Sequence, residues 1–293
     1  MVTVYRGSAA ERIAAVAGLT FREAIRRRVV LAGALMAGAF LTLYGFGLHV
    51  GQTAVWQQST QPALGELVRN ALGAQLLYLG LVPASLLVAL TSVFASAGTV
   101  SGELDSGVMY DALALPLRRA ELVAGKAIGL GGMVAGFALL MNGAVIGLAR
   151  WQVGAPVLSS WPLALAVLVL EPLPLLALAV LGSTRLPTLA NGVMCTAAYG
   201  IGFIGGLLES IGALFRSATM GDIGIVSSLI MPLDALHRLA LAQQLPPGLL
   251  FQQNGPPGMG GGSLPSTAMV VYSAGYVVVM LALAIRVFSQ RDL

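Results

Sequence analysis

Apolar runs about as long as the roughly 20 residues needed to cross a 30 Å bilayer core alternate with short charged stretches along this sequence. Six stand out: Val29–Val50, Ala71–Val100, Ala127–Ala149, Trp161–Thr184, Leu186–Leu208 and Leu264–Ile285. None shows the two-residue polarity alternation of a membrane barrel strand. The pattern therefore predicts an all-α fold, a polytopic membrane protein whose six transmembrane helices form one domain over residues 1–293. Pro83 lies inside the second run, and Glu171, followed by Pro172 and Pro174, interrupts the fourth. The first run begins only at Val29 and is too long for the core of a signal peptide, so it reads as a retained span.

Composition agrees. Hydrophobic residues make up 57% of the 293 and charged residues 10%, well under the roughly 25% charge of a soluble domain. Such apolar content also excludes disorder. The placement of charge carries more information than the net +4. With six spans both termini share a face, which receives Arg6, Arg12, Arg22, Arg26, Arg27, Arg28, Arg118, Arg119, Lys126, Arg185, Arg286 and Arg291. The opposite face receives only Arg69, Arg150, Arg216 and Arg238, so the sixteen cations divide twelve to four. The positive-inside rule then makes both termini and the loops at 101–126 and 183–187 cytoplasmic, in an inner or plasma cell membrane. Residues 209–263 become an extracytoplasmic loop. Within it, 223–245 are apolar enough for one or two short helices on or in the membrane, followed by a Pro/Gly-rich tether.

Residues 8–28 predict an interfacial amphipathic helix. Ser8 and Glu11 have capping-box spacing, and Ile13, Val16, Ala17, Phe21, Ala24 and Ile25 fall on one face opposite Arg12, Arg22, Glu23 and Arg26. The stretch from Ser101 to Lys126 holds seven charged residues. It includes a short segment with an apolar ridge (Val108, Met109, Ala112 and Leu113) that suits a groove on a protein partner.

Gly102-Glu103, Gly107, Leu113, Pro116, Arg118-Arg119, Glu121-Leu122 and Gly125-Lys126 together resemble the signature of ABC-2-type ABC transporter permeases. Met231-Pro232-Leu233-Asp234-Ala235-Leu236-His237-Arg238-Leu239 is similar to a run before the last span in the NosY-like group of these permeases, with Met231 and His237 in place of its Asn and Tyr. The resemblance implies a six-span permease with an elbow helix at 8–28 and a coupling helix in 101–126. Glu103, Asp105, Gly107, Asp111, Leu113, Pro116, Arg118, Arg119, Glu121 and Lys126 would transmit motion from a cytoplasmic ABC ATPase subunit. It further implies a second permease copy, simplest as a homodimer in membrane lipid, and a role as an exporter. ATP and Mg would belong to the partner chain, and no cofactor or nucleic acid to this one.

ATP chemistry on this chain is unsupported. The nearest phosphate-loop match, Ala120–Ala127, has Ala where the motif needs its first Gly and its final Ser or Thr. Gly125, Gly129, Gly132, Gly136, Gly143 and Gly147 form a stripe on the third span, where small residues admit close helix approach. Glu171 is costly at mid-membrane depth and is a candidate for the substrate path. The alternative at that position is a carboxyl hydrogen-bonded beside the proline break. Cys195 reads as a small buried hydrophobe, and Met231 and Met259 as packing residues rather than copper ligands. Two other functions compete: an intramembrane enzyme relying on Glu171, and a secondary transporter of inverted repeats. The first has no catalytic motif beside the acid, and the second would need corresponding loops, which 101–126 and 209–263 are not.

Overall fold

In the computed structural model, residues 8–58, 62–102, 118–155, 160–244 and 265–290 are described. They form ten helices and no strand: α1 (Ala9–Arg26), α2 (Arg28–Gln58), α3 (Pro62–Ser96), α4 (Arg119–Val153), α5 (Trp161–Leu170), α6 (Leu173–Ser183), α7 (Thr188–Phe215), α8 (Ala218–Ile230), α9 (Leu233–Gln244) and α10 (Ala268–Ser289). Six segments are long and apolar enough to cross a membrane, within α2, α3, α4, α5–α6, α7 and α10. The chain is a multi-pass, all-helical membrane protein.

Two apolar clusters stack along the bundle. One joins Ala24 of α1, Ala95 of α3, Val123 and Leu130 of α4, Val180 of α6 and Phe288 of α10. It brings the N-terminal helix and the end of the last span to the same side. The other joins Leu48, Leu77, Val145, Ala149, Val167 and Leu236 near the opposite side. A third, with Ala89, Leu175, Cys195, Met231 and Leu233, lies at intermediate depth. Cys195 and Met231 are thus fully enclosed packing residues.

α1 starts with a reciprocal capping box. Glu11 N–H donates to Ser8 Oγ at 3.3 Å, and Ser8 N–H to a Glu11 carboxylate oxygen at 2.9 Å, which satisfies donors that a helix start leaves open. The helix lies directly on α4. A Cβ on Gly125 would stand 2.6 Å from Val16 Cβ, and one on Gly129 would stand 2.5 Å from the Ala17 carbonyl oxygen. The expected glycine stripe therefore divides. Gly125 and Gly129 seat α1, and Gly132 lies near Phe21. Gly136, Gly143 and Gly147 have nothing within 4 Å of where a Cβ would project, so that half of the stripe packs no helix of this chain.

Two elements differ from the sequence pattern. α4 is 35 residues long and starts at Arg119, so the end of the charged 101–126 stretch belongs to the span helix. Residues 209–244, where one or two short helices are expected, are helical apart from two turns. α7 continues to Phe215, Arg216 adopts a left-handed turn conformation (φ 54°), and α8 runs back along α7. Glycines make this contact. A Cβ on Gly224 would lie 2.8 Å from Gly205 O, and one on Gly212 2.9 Å from Gly221 N. The chain then bends by 101° between α8 and α9. The bend residue Met231 reaches the intermediate-depth cluster. At its far end α9 returns to the start of α5, where Ser160 Oγ donates to the Gln243 carbonyl. The pair is a sharply bent helical hairpin packed into the bundle. Its inner arm is buried on nearly every face because the bundle, rather than lipid, surrounds it.

Gly129→Ala pushes a methyl group into the α1 backbone and is expected to destabilise by about 1–3 kcal/mol, the range for overpacking. Gly136→Ala meets open space and should be neutral or stabilising by about 0.5–1 kcal/mol through helix propensity. Thermal unfolding of the two purified variants in one detergent tests the pair; equal effects would contradict the contact.

Candidate functional site

The Trp161–Leu170 helix ends at Glu171, ten residues into the fourth span, about 15 Å along a helix axis and so near the bilayer midplane. Pro172 and Pro174 then restart the helix as α6. Pro172 and Pro174 have no N–H, so the carbonyls of Leu168 and Leu170 lose their helical donors, while the Pro172 carbonyl accepts from Leu176 N–H at 3.0 Å and from Ser92 Oγ at 3.4 Å. The Glu171 carboxylate has side-chain partners beside this break. It points to the hairpin: Ser85 Oγ on α3 lies 3.1 Å from Glu171 Oε2 and 3.0 Å from Nδ1 of His237 on α9, and Nδ1 lies 3.4 Å from the same carboxylate oxygen.

A hydroxyl has one hydrogen to donate. Given to Glu171, it leaves Ser85 Oγ to accept from His237, which places a ring proton on Nδ1. The three residue types are those of a hydrolytic triad, but the geometry differs. A triad sets the nucleophile and the acid on opposite ring nitrogens; here both sit at Nδ1, and Nε2 has no hydrogen-bond partner among the described residues. The group is a polar anchor rather than a proton relay to an activated serine.

Next to His237 on α9, Arg238 Nη2 donates to Glu209 Oε2 of α7 at 2.5 Å, and its Nε stands 2.8 Å from Asp234 Oδ2. Asp234, His237 and Arg238 fall at helical spacings of three and four, so one short helix presents acid, imidazole and guanidinium to α3, α5–α6 and α7. The Asp234 carboxylate occupies space that any side chain at Gly206 would fill. Between these elements lies a cavity of about 100 Å³. Tyr78, Val82 and Ser85 of α3 form one wall, Tyr199, Phe203, Gly206 and Ser210 of α7 another, and Glu171 with α9 the remainder.

A second polar cluster sits where the elbow helix meets α4. Arg12 Nε and Nη2 donate to the two carboxylate oxygens of Glu121 at 2.9 and 2.6 Å, a bidentate pair. The hydrogen bonds to Glu121 are the main cause that raises the Arg12 pKa above its ordinary value. Glu121 also accepts the Arg118 backbone N–H at 3.1 Å. Lys126 Nζ donates to the Thr99 carbonyl at 3.2 Å. Ser101 Oγ is 3.1 Å from Thr188 Oγ1, and Asn191 Nδ2 donates to Ala97 O at 2.8 Å.

These observations sort the sequence-predicted residues. Glu103, Asp105, Gly107, Asp111, Leu113 and Pro116 lie outside the described residues. Arg118 is exposed and Arg119 half-buried at the start of α4. Glu121 and Lys126 are buried and bonded within the chain, at the base of the loop. Glu171 is in the cavity wall. Sequence reasoning missed Ser85, Glu209, Asp234, His237 and Arg238 as companions of Glu171. The only available signal was three ionisable residues in five positions, 234–238, of an otherwise apolar stretch.

The family model described as ABC-2 family transporter protein matches residues 14–293 of this chain. No curated protein matches it.

Arg238→Met leaves Glu209 and Asp234 buried around an apolar side chain, and breaking a buried ion pair costs about 3–5 kcal/mol. The combined Arg238→Met, Glu209→Gln and Asp234→Asn variant should recover a large part of that loss. Apparent melting temperatures in detergent read both effects, and a single variant as stable as the parent would contradict the pairing.

Proposed function

The chain belongs to the ABC-2 family of transporter proteins, membrane permeases of ABC transporters, and from that premise we propose that it is the permease subunit of an exporter driven by a separate ATPase chain. The observation that carries this reading is the clamped base of the loop between α3 and α4. Thr99 and Lys126 bracket the loop and are bonded to each other. Arg12 ties the start of α4 to the elbow helix, and Asn191 ties the end of α3 to α7. A push on residues 103–117 reaches α1, α3, α4 and α7 together instead of bending one helix. Such a frame suits a docking loop that delivers force from a cytoplasmic partner, with Arg118 and Arg119 at its exposed edge. ATP and Mg belong to that partner, because this chain has no complete phosphate loop.

The twelve-to-four cation asymmetry supports placing both termini and this loop in the cytoplasm of a cell-membrane protein. Broad apolar faces of α2 and α10, with Leu35 and Val271 each about three-quarters exposed, suit lipid and a second copy of the chain. The cavity at Glu171 then serves as a station on the substrate path.

Purification from native membranes in mild detergent is expected to bring down an ATPase of roughly domain size whose turnover depends on this chain. A chain that transports by itself would overturn the reading. Glu171→Gln should abolish transport while the complex still assembles; unchanged transport would remove Glu171 from the path.

A further inference from the structure

The hydrogen-bonding capacity left over on the acids and the imidazole of the mid-membrane cavity is of one kind. Arg238 directs its donors at Glu209 and Asp234. The Ser85 hydrogen goes to Glu171, and the His237 Nδ1 hydrogen goes to Ser85. His237 Nε2 has no hydrogen-bond partner among the described residues, although His237 is only 8% exposed and lines the cavity, and Asp234 meets Arg238 through Oδ2. Glu171 uses one carboxylate oxygen, Oε2, for both of its contacts. What remains on Asp234, Glu171 and His237 is acceptor capacity, one further oxygen on each carboxylate and an imidazole lone pair, beside the hydroxyls of Tyr78 and Tyr199, which donate or accept. Buried polar groups without partners are costly, so the site is complete only with a ligand that donates.

Three aromatic rings line the same cavity, Tyr78 from α3 and Tyr199 and Phe203 from α7, and ring faces attract cations in desolvated surroundings. A metal ion fits less well, since no three of the His, Cys, Asp and Glu side chains converge as metal ligands among the described residues. An ammonium group brings three donors and a positive charge without demanding such convergence. Size sets the last limit. The cavity of about 100 Å³ is smaller than the roughly 150 Å³ void that holds benzene in an engineered protein core, so it takes a head group and not a whole hydrophobic molecule. Phe203, on its wall, is 41% exposed, which marks where an attached tail leaves for the surrounding apolar phase.

We propose that this cavity binds the protonated amine head of an amphiphilic substrate, the ammonium meeting Asp234, Glu171 and His237 and the tail leaving past Phe203. The proposal rests on the reading of the chain as a transport subunit and names the substrate class of the same site.

The test needs no ATPase, so its failure is separable from failure of that reading. The full chain in nanodiscs of uncharged phosphatidylcholine is titrated at pH 7 with n-butylammonium, n-butanol and butyrate, and bound fractions are read by saturation-transfer NMR. A charge-assisted hydrogen bond predicts that butylammonium binds about tenfold or more tighter than butanol, with butyrate weakest. Asp234→Asn and, separately, Glu171→Gln should erase most of that preference and leave butanol binding unchanged. Butyrate binding as well as butylammonium, equal binding of all three, or no binding of any would overturn the proposal, as would an undiminished ammonium preference in both variants. The charge series on the unaltered chain decides the matter even where a variant fails to fold. An ATPase that copurifies with a chain lacking ammonium preference refutes this inference alone.

Discussion

Arg238 donates to Glu209 from a helix that enters the bundle and turns back, and that ion pair determines how the outer half of the protein is built. A guanidinium at this depth is tolerable only among partners. α7 supplies Glu209, and α9 itself supplies Asp234. Ser85 and Glu171 hold the neighbouring His237. Each partner comes from a different helix, so the polar face of α9 locks α3, the broken fourth span and α7 around it. Irregular backbone in the membrane is allowed where it is enclosed by protein. The Met231–Pro232 bend is such a place.

Glycine makes the same region possible from the other side. α8 reaches α7 closely because Gly205, Gly212, Gly221 and Gly224 leave no side chains between the two backbones, and Gly206 leaves room for the Asp234 carboxylate. On the far face of the protein, Gly125 and Gly129 let α1 rest against α4. Both ends of the bundle use the same device, yet for different purposes: one brings a charged helix inward, and the other fastens an interfacial helix to a span.

The fastening at the elbow and the cavity share helices. The turn after α3 carries Thr99, and α3 carries Ser85 and Tyr78 deeper in the bundle; α7 carries Asn191 near its start and Tyr199, Phe203 and Glu209 further along. The loop frame and the walls of the cavity are therefore built on the same two helices. No separate relay of side chains is needed to connect the two, because α3 and α7 reach both.

Hydropathy alone determined the membrane class, the number of spans and the amphipathic helix at the chain's start, because insertion of an apolar helix depends on local composition and on little else. The capping pair Ser8 and Glu11 was equally legible, being a contact across three residues. The motifs around Gly102 and Met231 pointed to the family. The partners of Glu171 were decided only by tertiary structure. Ser85 and His237 lie 86 and 66 residues from it in the chain, and periodicity carries no information across such separations. The partners of Glu121 and Lys126 were hidden for the same reason: a charge in a loop-like stretch reads as exposed until Arg12 and Thr99 are found beside it. Residues 209–244 looked external because their polar residues break the apolar pattern. In the fold Glu209, Asp234, His237 and Arg238 are buried and bonded to one another or to Ser85 and Glu171, since a membrane protein can satisfy a charge with a distant charge of its own instead of with water.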